Sequence, residues 1–180
     1  MVGVDMTLIS DILTCKRCPL SSFHSPVKPL WFSNNPTVMM VFGHPAKEEL
    51  LINEPLAINV KLFLTKHVDL EKIYFTNLVK CGCKVSTVPN KKSITECSTW
   101  IHQEIKMVKP KTVISCGKIA NKYFFGPTFS NESQLYSSKT VVVEHKQQYK
   151  LVAFPSIFQS LNHSKQEVEK LIENLKKEVT

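Results

Sequence analysis

Four thiols constrain this chain more than any other feature. Cys15 and Cys18 lie in the run Cys15-Lys16-Arg17-Cys18-Pro19-Leu20, and Cys81 and Cys97 follow far downstream with fifteen residues between them. The first pair is close enough to chelate as a unit, and a fold that carries the second pair to it closes a four-thiol centre. Such a centre ties the N-terminal segment to the middle of the chain. A single Cys-x-x-Cys is shared by zinc ribbons, redox motifs and iron–sulfur sites, so the downstream pair is what sharpens the reading. Thiolate ligation serves zinc and iron–sulfur chemistry alike, and spacing alone leaves both open. Two further cysteines compete for attention. Cys83, separated from Cys81 by Gly82, is an alternative ligand, whereas Cys116 ends an apolar run and reads as a small buried hydrophobe.

The apolar pattern is that of an α/β protein. Short runs at Thr37 to Phe42, Ile73 to Leu78, Thr112 to Cys116 and Tyr149 to Phe154 have the length and composition of strands buried in a parallel sheet, with helix-like stretches between them. The expected architecture is a three-layer α/β/α fold with a central, mostly parallel four-stranded sheet. At 180 residues and 43% hydrophobic content the chain can build one core without disulfides, so a single domain over residues 1–180 is expected. Ser93-Ile94-Thr95-Glu96 has the form of a capping box. Ile94, Cys97, Ile101, Ile105 and Val108 then recur at helical spacing until Pro110, which predicts a helix with Cys97 in its first turn. Ser164-Lys165-Gln166-Glu167 opens a terminal amphipathic helix through Val168, Leu171, Ile172 and Leu175. Asn131 to Lys139 and Lys146-Gln147-Gln148 read as polar turns, and no repeat is visible.

The net charge is +8, and lysines at 80, 84, 91, 92, 106, 109, 111, 118 and 122 concentrate the excess in the middle of the chain. Phosphate attraction with counterion release is one use of such a surface, and plain solvation is the other. No apolar run is long enough to span a bilayer, and Met1-Val2-Gly3-Val4-Asp5 lacks the features of a secretory leader. An intracellular location, cytoplasmic or nucleoid-associated, is the expectation.

The text around the cysteines resembles the family 4 uracil-DNA glycosylases, the iron–sulfur branch of that superfamily. Cys15 to Leu20 is similar to the family's CxxCPL stretch. Ile73-Tyr74-Phe75-Thr76-Asn77-Leu78-Val79-Lys80-Cys81 is similar to its strand ending in Thr-Asn and running into Lys-Cys, with Cys97 sixteen positions on. Val108 to Ala120, with Lys109-Pro110-Lys111 ahead of a strand and Gly117 after it, looks like a further family segment. The resemblance covers most of the chain. It implies a uracil-DNA glycosylase-like fold and a 4Fe-4S cluster on Cys15, Cys18, Cys81 and Cys97, with Cys83 in reserve for Cys81 and structural zinc as the alternative occupant. The chain shows no electron-transfer partner motif, so the implied cluster is structural. The implied partner is DNA, held by phosphate contacts from the basic middle of the chain at Lys84, Lys91 and Lys92. Asn77 falls where the family reads a pyrimidine edge, for which an amide offers both a donor and an acceptor.

The resemblance breaks at the chemistry. Where the family has Gly-Glu-Ala/Gly-Pro-Gly, with a carboxylate associated with the hydrolytic water, this chain has Gly43-His44-Pro45-Ala46-Lys47. His44 is the candidate catalytic replacement, weighed against an ordinary turn histidine before a proline. The family's base-stacking Phe is Leu56 here, after Pro55. Its His-Pro-Ser loop is replaced in Phe154-Pro155-Ser156-Ile157-Phe158-Gln159-Ser160, where Phe158 takes the histidine's place. His163 lies just beyond and reads as a helix-start residue. Base binding would thus fall to Asn77, Leu56 and Phe158. The expectation is a DNA-binding iron–sulfur protein with weak or no uracil excision. Its alternatives are an active glycosylase for uracil or another damaged base with a rearranged site, and a protein-interaction module on the same scaffold.

Overall fold

The structure is a computed structural model that describes residues 5–83, 88–130, 133–142, 147–157 and 164–180. Its centre is a six-stranded sheet in the order β1-β3-β2-β4-β6-β5, formed by Leu30–Trp31 (β1), Val38–Phe42 (β2), Ile73–Asn77 (β3), Thr112–Cys116 (β4), Ser138–Val142 (β5) and Gln148–Phe154 (β6). Strands β3, β2, β4 and β6 are parallel and coincide with the four apolar runs. Every residue of β3 and β4 is buried, as expected for strands covered on both faces.

Two edge strands extend the sheet beyond the four expected. β1 pairs antiparallel with β3, and β5 pairs antiparallel with β6. Neither carries the apolar signature of a buried strand: β1 has two residues, and β5 is almost wholly exposed. Ser138 and Lys139, read as turn from their polarity, belong to β5. An edge strand is held by backbone hydrogen bonds along one side only, and polar side chains on it discourage further pairing.

Alternation along the strands fills the two helical layers. On one face, Met39, Val41, Tyr74, Val113 and Leu151 pack with Leu8, Ile9 and Ile12 of α1 (Met6–Leu13) and with Trp100, Ile101 and Ile105 of α4 (Lys91–Val108). Ile119 and Tyr123 of α5 (Gly117–Phe125) join that layer. On the other face, Met40, Phe75, Ile114 and Val152 pack with Val60 and Leu64 of α3 (Ile58–Thr65) and with Leu171, Leu175 and Val179 of α6 (Lys165–Val179). The short helix α2 (Lys47–Ile52) follows β2 at the carboxyl edge of the sheet. The three-layer α/β/α arrangement is therefore as expected.

Helix α4 begins earlier than the capping-box pattern indicates. Asn90 is the N-cap, its side chain accepting the Ser93 N–H at 2.8 Å, so the helix starts at Lys91 and Cys97 sits in its second turn. An Asn cap is as good as Ser, and the earlier start lets Ser93 turn inward. The helix ends at Val108. Lys109 adopts a left-handed conformation, φ 49°, because Pro110 disfavours helical geometry in the residue before it. Helix α6 does open with the expected capping box of Ser164 and Glu167. Among the described residues no helix is long and apolar enough to cross a membrane.

Candidate functional site

The fold carries the N-terminal cysteines to α4. After α1 the chain turns through a short 3-10 segment, Pro19–Ser22, in which the Ser21 hydroxyl donates to the Cys18 carbonyl at 2.8 Å. Arg17 folds back over the Trp100 ring, its guanidinium carbon 3.9 Å from the ring centroid, and donates to Thr99 Oγ1 at 2.9 Å. Trp100 Nε1 in turn donates to Cys15 Sγ at 3.4 Å. Stacking of a planar cation on an indole, with both donors satisfied, fixes the Cys-x-x-Cys segment on the helix that bears Cys97.

The second pair is assembled from the chain that leaves β3, which carries Cys81, and from α4, which carries Cys97. The Lys80 N–H donates to Cys97 Sγ at 3.2 Å, and Cys81 follows directly. Cys81 and Cys97 are buried, while Cys15, Cys18 and Cys83 are half-buried. Burial pushes the Cys81 thiol up to about 12, and the nearby Cys97, Cys18, Cys15 and Cys83 push in the same direction. The five sulfurs thus share one neighbourhood. Burial likewise raises Cys97, to about 11, against the pull of the Lys80 cation and amide. Cys83 is raised by burial and then by Cys18 alone. Cys116 stands apart in the opposite core, raised by burial with no cysteine near it, as suits a small hydrophobe. Among the described residues no group of three or more His, Cys, Asp or Glu has the geometry to hold a metal ion. The sulfurs converge without closing on one point.

Behind Cys97 lies a polar network that the sequence did not announce. Lys80 and Glu104 form an ion pair with side chains 1% and 0% exposed. Glu104 also accepts from the Tyr74 hydroxyl at 3.0 Å and from the Thr76 hydroxyl at 2.8 Å, and Lys80 Nζ donates to Thr76 as well. Burial and the adjacent Glu104 carboxylate hold the Tyr74 phenol well above its usual range. Lys80 therefore does not belong to the basic surface that the lysine cluster suggests. The signals for its burial were the apolar Leu78-Val79 beside it and an acid, Glu104, placed on the apolar stripe of α4 between Ile101 and Ile105.

The carboxyl edge of the sheet is different. Asn77 ends β3 opposite Phe42 and is 1% exposed, yet neither its amide nitrogen nor its amide oxygen has a partner in the structure. By the pleat, Asn77 shares its face with Phe75, in the core that also contains Leu56. Leu56 is itself 1% exposed and packs as core. His44 is half-buried on the loop after β2. That loop approaches α5 closely: a Cβ on Gly43 would meet the Ile119 Cβ at 3.2 Å.

No carboxylate lies in residues 43–47, but Glu49 reaches back to that loop. Its Oε2 accepts the Ala46 N–H at 2.6 Å, and the Ala57 N–H donates to the same carboxylate. Burial pushes this acid up to about 7. Glu49 thus bridges the loop after β2 to the segment bearing Leu56. The next residue, Leu50, packs so tightly on the Cys81–Cys83 turn that a Cβ on Gly82 would come within 2.4 Å of its Cδ1. Helix α2 therefore joins the two regions.

Lys91 and Lys92 are exposed in the first turn of α4. Lys84, Phe158 and His163 lie outside the described residues. One surface cleft, of about 540 Å³, is lined by Lys16, Arg17, Cys18, Pro19, Ser21 and Ser22; another, of about 470 Å³, lies between His67, Asp69 and Lys72 and the end of α6. Neither includes Asn77.

The family model of the uracil DNA glycosylase superfamily matches residues 51–176 of this chain. The type-4 uracil-DNA glycosylase of Sulfurisphaera tokodaii is 24% identical over 154 residues, which cover 81% of this chain and 70% of that protein. The type-4 enzyme of Saccharolobus solfataricus is 24% identical over 128 residues, 67% of this chain and 59% of its own length. The type-5 uracil-DNA glycosylase of Pyrobaculum aerophilum is 26% identical over 148 residues, 62% and 65% of the two chains. Against the last two the chain spans less than two thirds of the relative.

Proposed function

Because the chain belongs to the uracil DNA glycosylase superfamily, we propose that it is a DNA-binding, iron–sulfur member with weak or no uracil excision, working inside the cell. The relatives act on uracil in DNA by name, and the basic middle of this chain suits the same partner. Lys91 and Lys92 at the start of α4, with Lys84, would supply phosphate contacts, which give affinity without reading sequence.

Cys15, Cys18, Cys81 and Cys97 would hold the cluster. The donor set suits it: four thiols, two of them buried, with N–H groups of Lys80 and Trp100 aimed at sulfur. A 4Fe-4S cube takes one thiolate per iron, so its sulfurs stand farther apart than four thiolates on one zinc. The mutual influence of Cys81, Cys97, Cys18 and Cys15 supports a shared centre, and the type-4 relatives favour the cluster as its occupant. When bound, the cluster supplies a cross-link between the N-terminal segment, β3 and α4.

Excision of a base by this superfamily needs a stacking surface, an edge reader, stabilisation of charge on the departing base and a positioned water. The observation that carries the weak-activity reading is the burial of Asn77 and Leu56 together, at 1% exposed each, beneath a loop without a carboxylate. The edge reader is kept and its orphaned amide invites a partner, but the stacking wall has become core. Loss of an oxyanion donor or a general base costs roughly two to four orders of magnitude each. In single-turnover assays with protein in excess over uracil-containing single strand and duplex, cleavage should stay near background. Cleavage at a useful rate would overturn the reading.

One observation favours the active alternative. Glu49, held against the same loop and raised to about 7, is a carboxylate five positions after His44 with the acidity of a general base. If excision is found, Glu49 is the first residue to substitute. Absence of DNA binding at low ionic strength would instead favour the interaction-module reading.

A further inference from the structure

We propose that the buried Lys80–Glu104 pair is the positioning device of the thiol centre: it fixes the Lys80 backbone so that its N–H points at Cys97 Sγ, and so sets the metal affinity of that centre. The inference rests on the reading of the four cysteines as metal ligands. Its geometry is independent of which metal they take.

Lys80 is held at three points. Its ammonium is clamped by Glu104 and Thr76, its carbonyl accepts the Val27 N–H at 2.8 Å, and its N–H donates to Cys97 at 3.2 Å. Glu104 is itself fixed by the hydroxyls of Tyr74 and Thr76, on the two β3 residues that face α4. The pair therefore locks the register between β3, which delivers Cys81, and α4, which delivers Cys97. Two ligands on separate elements meet only if that register is held. A buried ion pair is a poor source of net stability compared with apolar residues of the same size, because both charges lose their water. Its retention beside a ligand is better explained by the one geometry it permits. A leucine or methionine pair could fill the space but would lack the directional contacts that hold the Lys80 side chain to α4.

The test separates positioning from stability. The variant Tyr74→Phe/Thr76→Val/Lys80→Met/Glu104→Leu removes every member of the network and leaves no orphaned polar group, so it is expected to fold with an unchanged or higher melting temperature. Cd²⁺ serves as a thiolate probe of metal-stripped protein through its charge-transfer absorbance. Release of iron to a chelator is followed on the protein as purified. The proposal expects at least a tenfold weaker Cd²⁺ affinity and correspondingly faster iron release, the size of effect seen when the partner of a ligand is removed. Unchanged affinity in the folded variant overturns it and leaves the four-thiol reading intact. If the four-residue variant does not fold, Glu104→Gln carries the test, since it fills the same space but takes away the anion that clamps the Lys80 ammonium. The same tenfold loss is expected there, and its absence overturns the proposal. A wild-type chain that binds Cd²⁺ no better than its Cys15→Ser/Cys18→Ser/Cys81→Ser/Cys97→Ser variant fails the centre itself, and the proposal with it.

Discussion

Thr76 and Asn77 are neighbours on one strand, and their surroundings could hardly differ more. Thr76 faces α4, where its hydroxyl, Tyr74, Lys80 and Glu104 are hydrogen-bonded to one another. Asn77 faces the opposite layer, fully buried, with both amide atoms unpartnered. Each such orphan costs on the order of 1–3 kcal/mol, so the strand carries a penalty on one side that it avoids on the other. The Thr76 side of the strand is paired, the Asn77 side is not, and the other buried unpartnered side-chain atom among the described residues is Ser93 Oγ on α4. On the proposed reading, the strand's α4 side would serve the thiol centre and its other side, where Leu56 is packed as core, would be the altered base pocket.

The largest effects should come from the thiol half. Substituting Cys81 or Cys97 by serine is expected to abolish iron and sulfide binding and to destabilise the fold by several kcal/mol, because metal binding energy at a structural site is folding energy. Iron and sulfide analysis with thermal unfolding checks this. Cys83→Ser should leave the metal content intact. Retention of the cluster in Cys81→Ser but not in Cys83→Ser would exchange the two ligands. A colourless anaerobic preparation holding one zinc and no sulfide would replace the cluster altogether.

The base-pocket half predicts a gain of function. His44→Glu, Leu56→Phe and Phe158→His together should raise uracil excision from background by about two orders of magnitude, while each alone does little, since groups that act as a unit are not additive. Leu56 is buried, so the larger ring should also cost about 1–3 kcal/mol by overpacking. A restored variant that folds normally yet shows no excision would mean that the pocket is gone beyond those positions, and the comparison would sharpen into a chain with no base site at all.

How much of this was legible follows from which forces write themselves into sequence. Buried parallel strands are continuous apolar runs, so β2, β3, β4 and β6 could be read directly. Edge strands β1 and β5 are defined by backbone pairing with a neighbour, which leaves no side-chain pattern to find. Asn90 caps α4 in place of Ser93 because two acceptable caps stood three residues apart, and only packing chose between them. The gathering of the cysteines was visible in their spacing, but the Lys80–Glu104 pair was not, because a lysine reads as surface until its partner is known to face it. Leu56 shows the converse: text aligned it with a pocket wall, and the fold uses it as core.

A smaller effect tests whether the basic face works independently of both halves. Lys91→Glu/Lys92→Glu should weaken DNA binding by roughly tenfold at moderate salt and lower the slope of log affinity against log salt by about 0.9 for each phosphate no longer neutralised. The helix should survive, because both side chains are exposed and the Asn90 cap remains. An unchanged salt slope would move the phosphate-binding face elsewhere.

The smallest expected effect lies where the two halves meet, at Glu49. Its acid is raised from 4.5 to about 7 in the folded chain, mainly by burial. A raised carboxyl is bound more tightly to its proton in the folded state than in the unfolded one, so its contribution to stability is full below pH 4.5. It declines as pH rises from 4.5 to about 7 and changes little above that. Glu49→Gln keeps a capping-box side chain at the start of α2 and removes the cost of burying a charge. Because part of the carboxylate is exposed and the Ala46 and Ala57 amides favour its charged form, the gain should be only about 1 kcal/mol at pH 8. None is expected at pH 4, where the acid is already neutral. Urea unfolding at the two pH values measures the difference. Equal destabilisation at both would show Glu49 to be a cap and nothing more. If excision is detected instead, with a rate that rises through pH 7 in the wild type and is lost in Glu49→Gln, then the carboxylate missing from position 44 has been regained at position 49. The base-pocket half would then be rearranged rather than stripped.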